Sequence, residues 1–264
     1  MNESMIRIAV SQGLLALMLL LEFIIPLRNT SHLRTQRWLE NFGLGLLNTL
    51  LIRIAVKAIA YSSAIYFQIN GIGLLNSNLL DFPINSIPSI VLTILILDMA
   101  IYFQHRISHQ VPFLWRFHKV HHTDLDFDAS TSVRFHPVEI VMSMAFKVFI
   151  IMLLGADPIG VVFFEIFLNA GSTFNHSNIK LFKGLEKILR IFIVTPDMHR
   201  IHHSIIPYET NSNYSFSISI WDRIFGTYRS ESKNPQDTME IGIEAFRDHL
   251  NFLEILKVPF IKEK

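Results

Sequence analysis

The sequence predicts an all-α integral membrane protein that forms a single domain over residues 1–264, with about four transmembrane helices. Half of its 264 residues are hydrophobic and only 17% are charged, whereas soluble domains carry about 25% charged residues. The apolar residues are gathered into long runs, and the mean hydropathy is +0.37. We therefore expect a lipid bilayer to cover part of the surface.

Composition excludes several classes of protein and of site. A formal net charge of +1 excludes a strongly basic nucleic-acid binder, so we expect no nucleic-acid partner. The chain contains no cysteine, which excludes disulfides, cysteine-ligated zinc, iron–sulfur clusters and a thiol nucleophile. Twelve histidines remain as the residues with potential metal chemistry.

The first two predicted spans differ in how many charged residues they contain. Residues 8–27 are uncharged apart from Glu22 and can cross a hydrocarbon core of about 30 Å. Leucine and phenylalanine occupy the place where signal peptidase needs small residues, so we expect this helix to be retained. The second run, 42–67, carries Arg53 and Lys57 near its middle. These cations share one helix face, which should turn inward or reach toward the headgroups.

A third span is predicted from about Pro88 to just before Val111-Pro112, where proline ends the helix. Residues 138–154 and 158–174 are two apolar runs of 17 residues around a Gly-Ala-Asp-Pro turn, which predicts a short hairpin. Asp157 and His136 each precede a proline and are the expected N-caps of the two hairpin helices. Farther along, an amphipathic helix with Leu185, Ile188, Leu189 and Phe192 on one face is expected in the membrane interface.

The distribution of basic residues predicts the orientation of the chain. Three Lys or Arg residues fall in 28–41 and four in 105–137, whereas 68–83 contains none. The positive-inside rule therefore places 28–41, 105–137 and everything after 176 in the cytoplasm. All histidines of interest would then face the cytoplasm, from the inner membrane of a bacterium or the endoplasmic reticulum of a eukaryote.

Eight histidines fall at helical spacings. Two H-x-x-H-H triplets lie 81 residues apart, preceded by an H-x-x-x-H pair, and His136 and His176 lie between the triplets. Positions i, i+3 and i+4 share one helix face, so each triplet can aim three imidazoles at one region. Nine nitrogens exceed one tetrahedral zinc site and suit two metal ions with four or five ligands each. The candidate ligands are His105, His109, His118, His121, His122, His176, His199, His202 and His203.

Four other polar residues are candidates for a tenth ligand or for supporting contacts: His136, Asp124, Asp197 and Asn175. Asp124 and Asp197 either accept a ring N–H of a ligand histidine, cap a helix, or face water. For Asp197, Thr195 as N-cap and Pro196 at the first helical position favour a helix start. His136 either caps the first hairpin helix or supports a ligand, and Glu139 completes the spacing of a capping box.

Six segments carry a resemblance to a known family. They are HRISH from His105, WRFHKVHH from Trp115, FHPVE from Phe135, NHSN from Asn175, MHRIHH from Met198 and NYSFSISIWDRIFGTY from Asn213. In this order, over about residues 90–230, they resemble the fatty acid hydroxylase and sterol desaturase superfamily of membrane di-metal oxygenases.

The resemblance implies a transmembrane stem with a cytosolic helical cap that holds two metals over the membrane. It implies that the nine histidines are the ligands of two iron ions, which zinc can replace. It further implies an O₂-dependent enzyme that hydroxylates or desaturates a lipid such as a fatty acyl chain, a sterol, or a related isoprenoid or ether lipid. Within the last segment we expect Ile220, Ile224 and Phe225 to pack into the cap, with Gly226 ending the helix, while FSISI could instead be a strand.

Three other functions compete with this interpretation. A membrane zinc hydrolase would need a general-base carboxylate beside a ligand, as in H-E-x-x-H, and that motif is absent. A haem-binding electron carrier needs opposed histidines deep between spans, and a metal transporter needs ligands at mid-membrane, where the predicted spans have none. The chain also lacks a G-x-G-x-x-G fingerprint. We therefore expect an external reductase with a ferredoxin or cytochrome to supply electrons at the basic cytoplasmic face.

Overall fold

The computed structural model describes residues 3–30, 34–55, 60–77 and 83–262. The twelve α-helices of these segments are α1 Glu3–Ile24, α2 Arg34–Ala55, α3 Ala60–Ile69, α4 Ile87–Gln110, α5 Pro112–His122, α6 Pro137–Leu154, α7 Pro158–Asn175, α8 Lys183–Phe192, α9 Pro196–His202, α10 Pro207–Thr210, α11 Ile220–Ile224 and α12 Phe252–Lys257. Short 3₁₀ turns cover Leu74–Asn76, Ala129–Val133 and Val258–Phe260. Within the described segments β-structure is limited to isolated bridges, so the all-α prediction is confirmed and FSISI is not a strand.

Three of the described helices are long and apolar enough to cross a membrane, namely α1 over Met5–Ile24, α4 and α6. α4 has the predicted limits: Ser86 caps it, Pro88 lies in its first turn, and it ends before Pro112. The run predicted as a second span is covered by α2, which ends at Ala55, and by α3, which starts at Ala60. Arg53 is exposed rather than turned inward, and Lys57 lies outside the described residues.

The predicted helical hairpin is α6 and α7. Gly155 ends α6 in the left-handed conformation with φ 64°, and Asp157 caps α7 by accepting the N–H groups of Ile159 and Gly160 at 2.9 and 3.1 Å. A side chain at Gly155 would strike the 72–76 segment, where the backbone oxygen of Ile72 lies 2.7 Å from the position of a Cβ. The turn is therefore fixed both by its own caps and by a close contact with a second loop.

The apolar core of the helical stem lies among α3, α4, α6 and α7. α3 and α4 each pack against both arms of the hairpin. Fully buried Leu97 of α4 meets Ile151 of α6 and Val161 of α7 in one cluster, which Ala64 of α3 also joins. This packing aligns the last turn of α4, the first turn of α6 and the last turn of α7 at the same end of the stem.

The C-terminal end of α1 reaches that same end. Glu22 is buried and accepts the backbone N–H groups of Ala129 at 2.7 Å and Asn178 at 2.9 Å, and it pairs with Arg34 at 3.2 Å. A buried carboxylate needs such partners because an unpaired one would be costly. One acid thus ties α1 to the segments that follow α5 and α7.

Two amphipathic elements expose apolar side chains. α8 covers the segment predicted as an amphipathic helix, with Ile188 59% and Phe192 66% exposed. In α11 the expected packing of Ile220 and Ile224 into the cap is wrong, since they are 44% and 59% exposed. Phe225 does pack, stacking on Tyr102 with ring centroids 5.3 Å apart.

Candidate metal centre

Nine histidines converge at the end of the stem where α4, α5, α7 and α9 meet. The structure divides them into two adjoining groups, and in each group the candidate ligand atoms lie within 4.8 Å of one another. The group of five consists of His105, His109, His118, His122 and His202. The group of four consists of His121, His176, His199 and His203.

Each H-x-x-H-H triplet is split between the two groups. The residues at i and i+4 of α5, His118 and His122, belong to the group of five, while His121 belongs to the group of four. In α9 the arrangement is reversed: His199 joins the group of four with its C-cap residue His203, and His202 joins the group of five. The expectation that a triplet aims at one region does not hold, because facing helices divide its side chains between two.

Hydrogen bonds at Nδ1 fix the orientation of four rings. His105 donates to the carbonyl of Tyr214 at 2.6 Å, and His202 to that of Ser212 at 2.8 Å. His176 donates to the carbonyl of Ser172 at 2.7 Å. In the fourth ring, His118 Nδ1 lies 2.6 Å from Glu139 Oε1. Since a carbonyl can only accept, the proton of a neutral ring is on Nδ1 and the Nε2 lone pair faces the group.

These lone pairs lie at distances that fit a shared cation. His105 Nε2 and His118 Nε2 are 3.1 Å apart, and His176 Nε2 is 3.0 Å from His121 Nε2 and 3.1 Å from His199 Nε2. Two facing lone pairs repel, whereas two nitrogens bound at right angles to one ion at about 2.1 Å lie about 3.0 Å apart. Eight further ring nitrogens in the groups are buried without a hydrogen-bond partner, those of His122 and His203 among them.

Burial keeps the imidazoles neutral. His121, His122, His199 and His203 are fully buried, as are His176 and His202. Burial lowers the pKa of His202 to about 3 and that of His176 to about 4. Neutral imidazole is the form that binds a metal, so the groups are ready to ligate at physiological pH.

Aromatic side chains wall the groups off from water. Phe135 stacks on His121 with centroids 4.5 Å apart, and buried Phe127 lies against His176 at 5.6 Å. Trp115 contacts His109 at 5.0 Å and His122 at 5.5 Å. These walls lower the local dielectric and limit entry of solvent to the ligand atoms.

A buried ion network supports the C-terminal end of α5. Arg37 of α2 holds Asp124 with two hydrogen bonds of 2.6 and 2.9 Å and donates to Asp128 at 2.9 Å. Burial opposes ionisation of Asp124, but the charge and hydrogen bonds of Arg37 outweigh it and hold the pKa of that carboxyl well below its usual range. Asp124 also accepts from Asn41 and Thr131. In the described contacts it therefore supports the backbone after His122 rather than an imidazole.

The remaining candidates have distinct positions. Asp197 lies in the first turn of α9 and pairs with Arg200 at 2.8 Å, and Thr195 caps this helix as predicted. His136 caps α6, its Nδ1 accepting from Val138 at 3.1 Å, and belongs to neither histidine group. Asn175 donates to the carbonyl of Phe216 at 2.8 Å, and its Oδ1 is buried without a partner.

Glu139 was assigned the wrong role from the sequence. It lies three residues after His136, where the spacing predicts a capping interaction, but its carboxylate accepts from His118 instead. The sequence also gives no sign that the carbonyls of Tyr214, Ser172 and Ser212 accept hydrogen bonds from histidines, because any residue type can supply a backbone carbonyl.

Comparison with known proteins identifies the family. The sequence model of the fatty acid hydroxylase family matches residues 90–227, which is more than half of the chain and includes all nine histidines. The chain belongs to the fatty acid hydroxylase family. The resemblance to this superfamily is thereby confirmed, and its relatives are oxidoreductases that act on lipids.

Members of the family with assigned activities are similar over much of the chain. Ornithine lipid hydroxylase OlsE of Rhizobium tropici is 32% identical over 178 residues, covering 66% of this chain and 51% of that protein. Alkylglycerol monooxygenase of Danio rerio is 29% identical and covers 81% of this chain and 46% of that protein. Human cholesterol 25-hydroxylase is 27% identical, covering 54% and 52%. The chain thus spans about half the length of these relatives, and no solved structure matches it significantly.

Proposed function

We propose that this protein is a membrane di-iron oxygenase that uses O₂ to hydroxylate a lipid. The observation that carries the proposal is the pair of adjoining, buried, all-histidine groups of five and four residues. Nitrogen-only ligand sets of this size suit iron, and zinc can replace it in the same sites. Two adjacent iron ions supply the activation of O₂ that removal of hydrogen from an unactivated carbon requires.

The residues of the chain would bind the ions, orient the ligand rings and exclude water from them. The nine histidines would hold the two ions, and the Nδ1 hydrogen bonds of His105, His176 and His202 hold three of the rings in their ligating orientation. Phe127 and Phe135 exclude water from the group of four. The apolar helix α4 carries His105 and His109 in its last turns, so a hydrocarbon chain in the bilayer would approach the groups along the stem.

The substrate class follows from the relatives. Their names state an ornithine lipid, alkylglycerol and cholesterol as substrates, all of which are lipids. Hydroxylation is favoured over desaturation because each of these names describes a hydroxylase or a monooxygenase. We propose a membrane lipid as the substrate, with the histidine groups on the cytoplasmic side.

Electrons would come from a separate reductase with a ferredoxin or cytochrome. Among the described residues the histidine groups form the redox-capable site, and the sequence offers no cysteine to add an iron–sulfur centre. Purified protein supplied with NAD(P)H alone should give no sustained turnover, and addition of a reductase and carrier should restore it.

Two measurements test the proposed function. Lipid extracts from cells with the protein should contain species heavier by one oxygen that are absent from cells with His202→Ala, while His249→Ala serves as control. His249 pairs with Glu40 outside both groups. His32, which also belongs to no histidine motif, lies outside the described residues. Metal analysis separates the alternatives: two irons support the oxygenase, one zinc in protein expressed with ample iron supports a hydrolase, and a Soret band supports a haem protein.

A further inference from the structure

His118 differs from the other oriented histidines in the acceptor of its Nδ1 hydrogen bond. His105, His176 and His202 donate Nδ1–H to backbone carbonyls, which are neutral. His118 meets a carboxylate, Glu139 Oε1, at 2.6 Å. Among the described histidine groups this is the one direct contact with an acidic side chain, and it belongs to the group of five.

The fold places Glu139 for this contact. His136 and Pro137 start α6, so Glu139 lies in the first helical turn, where the positive end of the helix dipole favours a negative charge. The residue is only 9% exposed, and its Oε2 is buried without a hydrogen-bond partner in the described structure. Burying a charged carboxylate away from water costs free energy unless a positive charge lies close by.

The acids near the group of four are bonded to a cation and not to an imidazole. Asp124 and Asp128 lie near His176, but both pair with Arg37, which offsets part of their charge. Among the described ion pairs Glu139 pairs with no Lys or Arg, and its one hydrogen-bonded neighbour is the ring of His118. The negative charge of Glu139 is therefore directed at the group of five through one imidazole.

We infer that Glu139 is a positioning residue that makes the two metals unequal. It fixes His118 with Nε2 toward the metal, and its charge strengthens electron donation by that nitrogen, because a carboxylate on the second ring nitrogen raises the basicity of the first. The metal of the five-histidine group becomes the more electron-rich of the two. This inference rests on the proposed function only in taking the histidine groups as metal sites.

The test uses the full-length protein loaded with Co²⁺, whose visible spectrum reports each ligand field without any need for turnover. Glu139→Gln retains an acceptor oxygen and the side-chain volume but removes the charge. We expect this variant to bind as much cobalt as wild type, with the bands of one site shifted and those of the other unchanged. Glu139→Ala should weaken one of the two sites roughly 10- to 100-fold. In iron-loaded Glu139→Gln, the reduction potential of the same site should rise.

The matched control is Glu40→Gln. Glu40 Oε1 accepts from His249 at 3.1 Å, so it is also a carboxylate–imidazole pair, but one outside both groups. Its cobalt spectrum should equal that of wild type. A wild-type spectrum and potential in Glu139→Gln, together with wild-type affinity in Glu139→Ala, would overturn the inference. Failure of the oxygenase proposal would look different, because wild-type protein would then bind two metals and form no hydroxylated lipid.

Discussion

Two double variants that each remove two imidazoles should lose different numbers of metal ions. His122→Ala/His202→Ala takes both ligands from the group of five and leaves the group of four intact. His202→Ala/His203→Ala removes neighbours in the sequence but takes one ligand from each group. The comparison holds the number of deleted histidines constant and changes only how they are divided.

The expected size of the effect follows from the ligand count. A four-ligand zinc site binds with about 10–16 kcal/mol, so each nitrogen contributes roughly 3 kcal/mol, or about 100-fold in affinity. The first variant therefore weakens one site about 10⁴-fold and leaves every ligand of the other in place. The second variant weakens both sites about 100-fold.

Metal content after dialysis against a graded series of chelator concentrations measures the difference. At a concentration that removes an ion bound about 100-fold more weakly than in wild type, the first variant should keep about one ion per chain and the second almost none. Equal retention by the two variants at every concentration would refute the division of the histidines into two groups. Single His249→Ala should retain metal as wild type does.

Three further predictions concern the supporting structure. Arg37→Ala should lower the free energy of unfolding by about 3–5 kcal/mol, because it leaves two buried acids without their cation. As a control, Arg247→Ala breaks the exposed Arg247–Glu240 pair and should cost less than about 1 kcal/mol. Chemical denaturation measures both losses, and equal losses would contradict the role of the network. His136→Ala should lose about 0.5–2 kcal/mol and keep its metals, and metal loss as severe as in the ligand variants would instead make His136 a ligand. A reporter fused after residue 75 should be extracellular or periplasmic and one at the C-terminus cytoplasmic. The same compartment for both would mean that the second or third predicted span is wrong.

Much of the histidine centre could be predicted because ligand spacing is a local property. The H-x-x-H-H triplets place imidazoles on one face of a helix whatever the rest of the chain does, and the structure does bring them together. How a triplet is divided between two groups depends on which helix faces each side chain. That information lies in the packing of α5 against α4 and α9, and no single segment contains it.

The helix caps were predicted where proline follows a polar residue. His136, Asp157 and Thr195 all cap as expected, because capping needs only the residue and the next turn. Glu139 shows the limit of this reasoning. An acid three residues after a cap has the same spacing whether it turns back to the cap or out to another helix, and only tertiary contact with His118 decides.

Exposure of apolar residues was harder to predict. Ile220 and Ile224 lie on the apolar face of a helical pattern, yet both are on the surface of α11. An amphipathic pattern identifies the apolar face of a helix but not what contacts that face. In a membrane protein the covering material can be lipid, and the sequence pattern for burial in protein and for contact with lipid is the same.

Because adjacent histidines belong to different groups, binding of an ion by one group would affect the other. His121 and His122 are joined by one peptide bond, as are His202 and His203, and in each pair the two rings serve different groups. Consecutive Cα atoms stay about 3.8 Å apart, so an ion held by one residue restrains the backbone of the next. If both groups bind ions as proposed, the first ion to enter would restrict the backbone that the second must also restrict, and loading would be cooperative. Half-loaded chains should then be scarce during assembly.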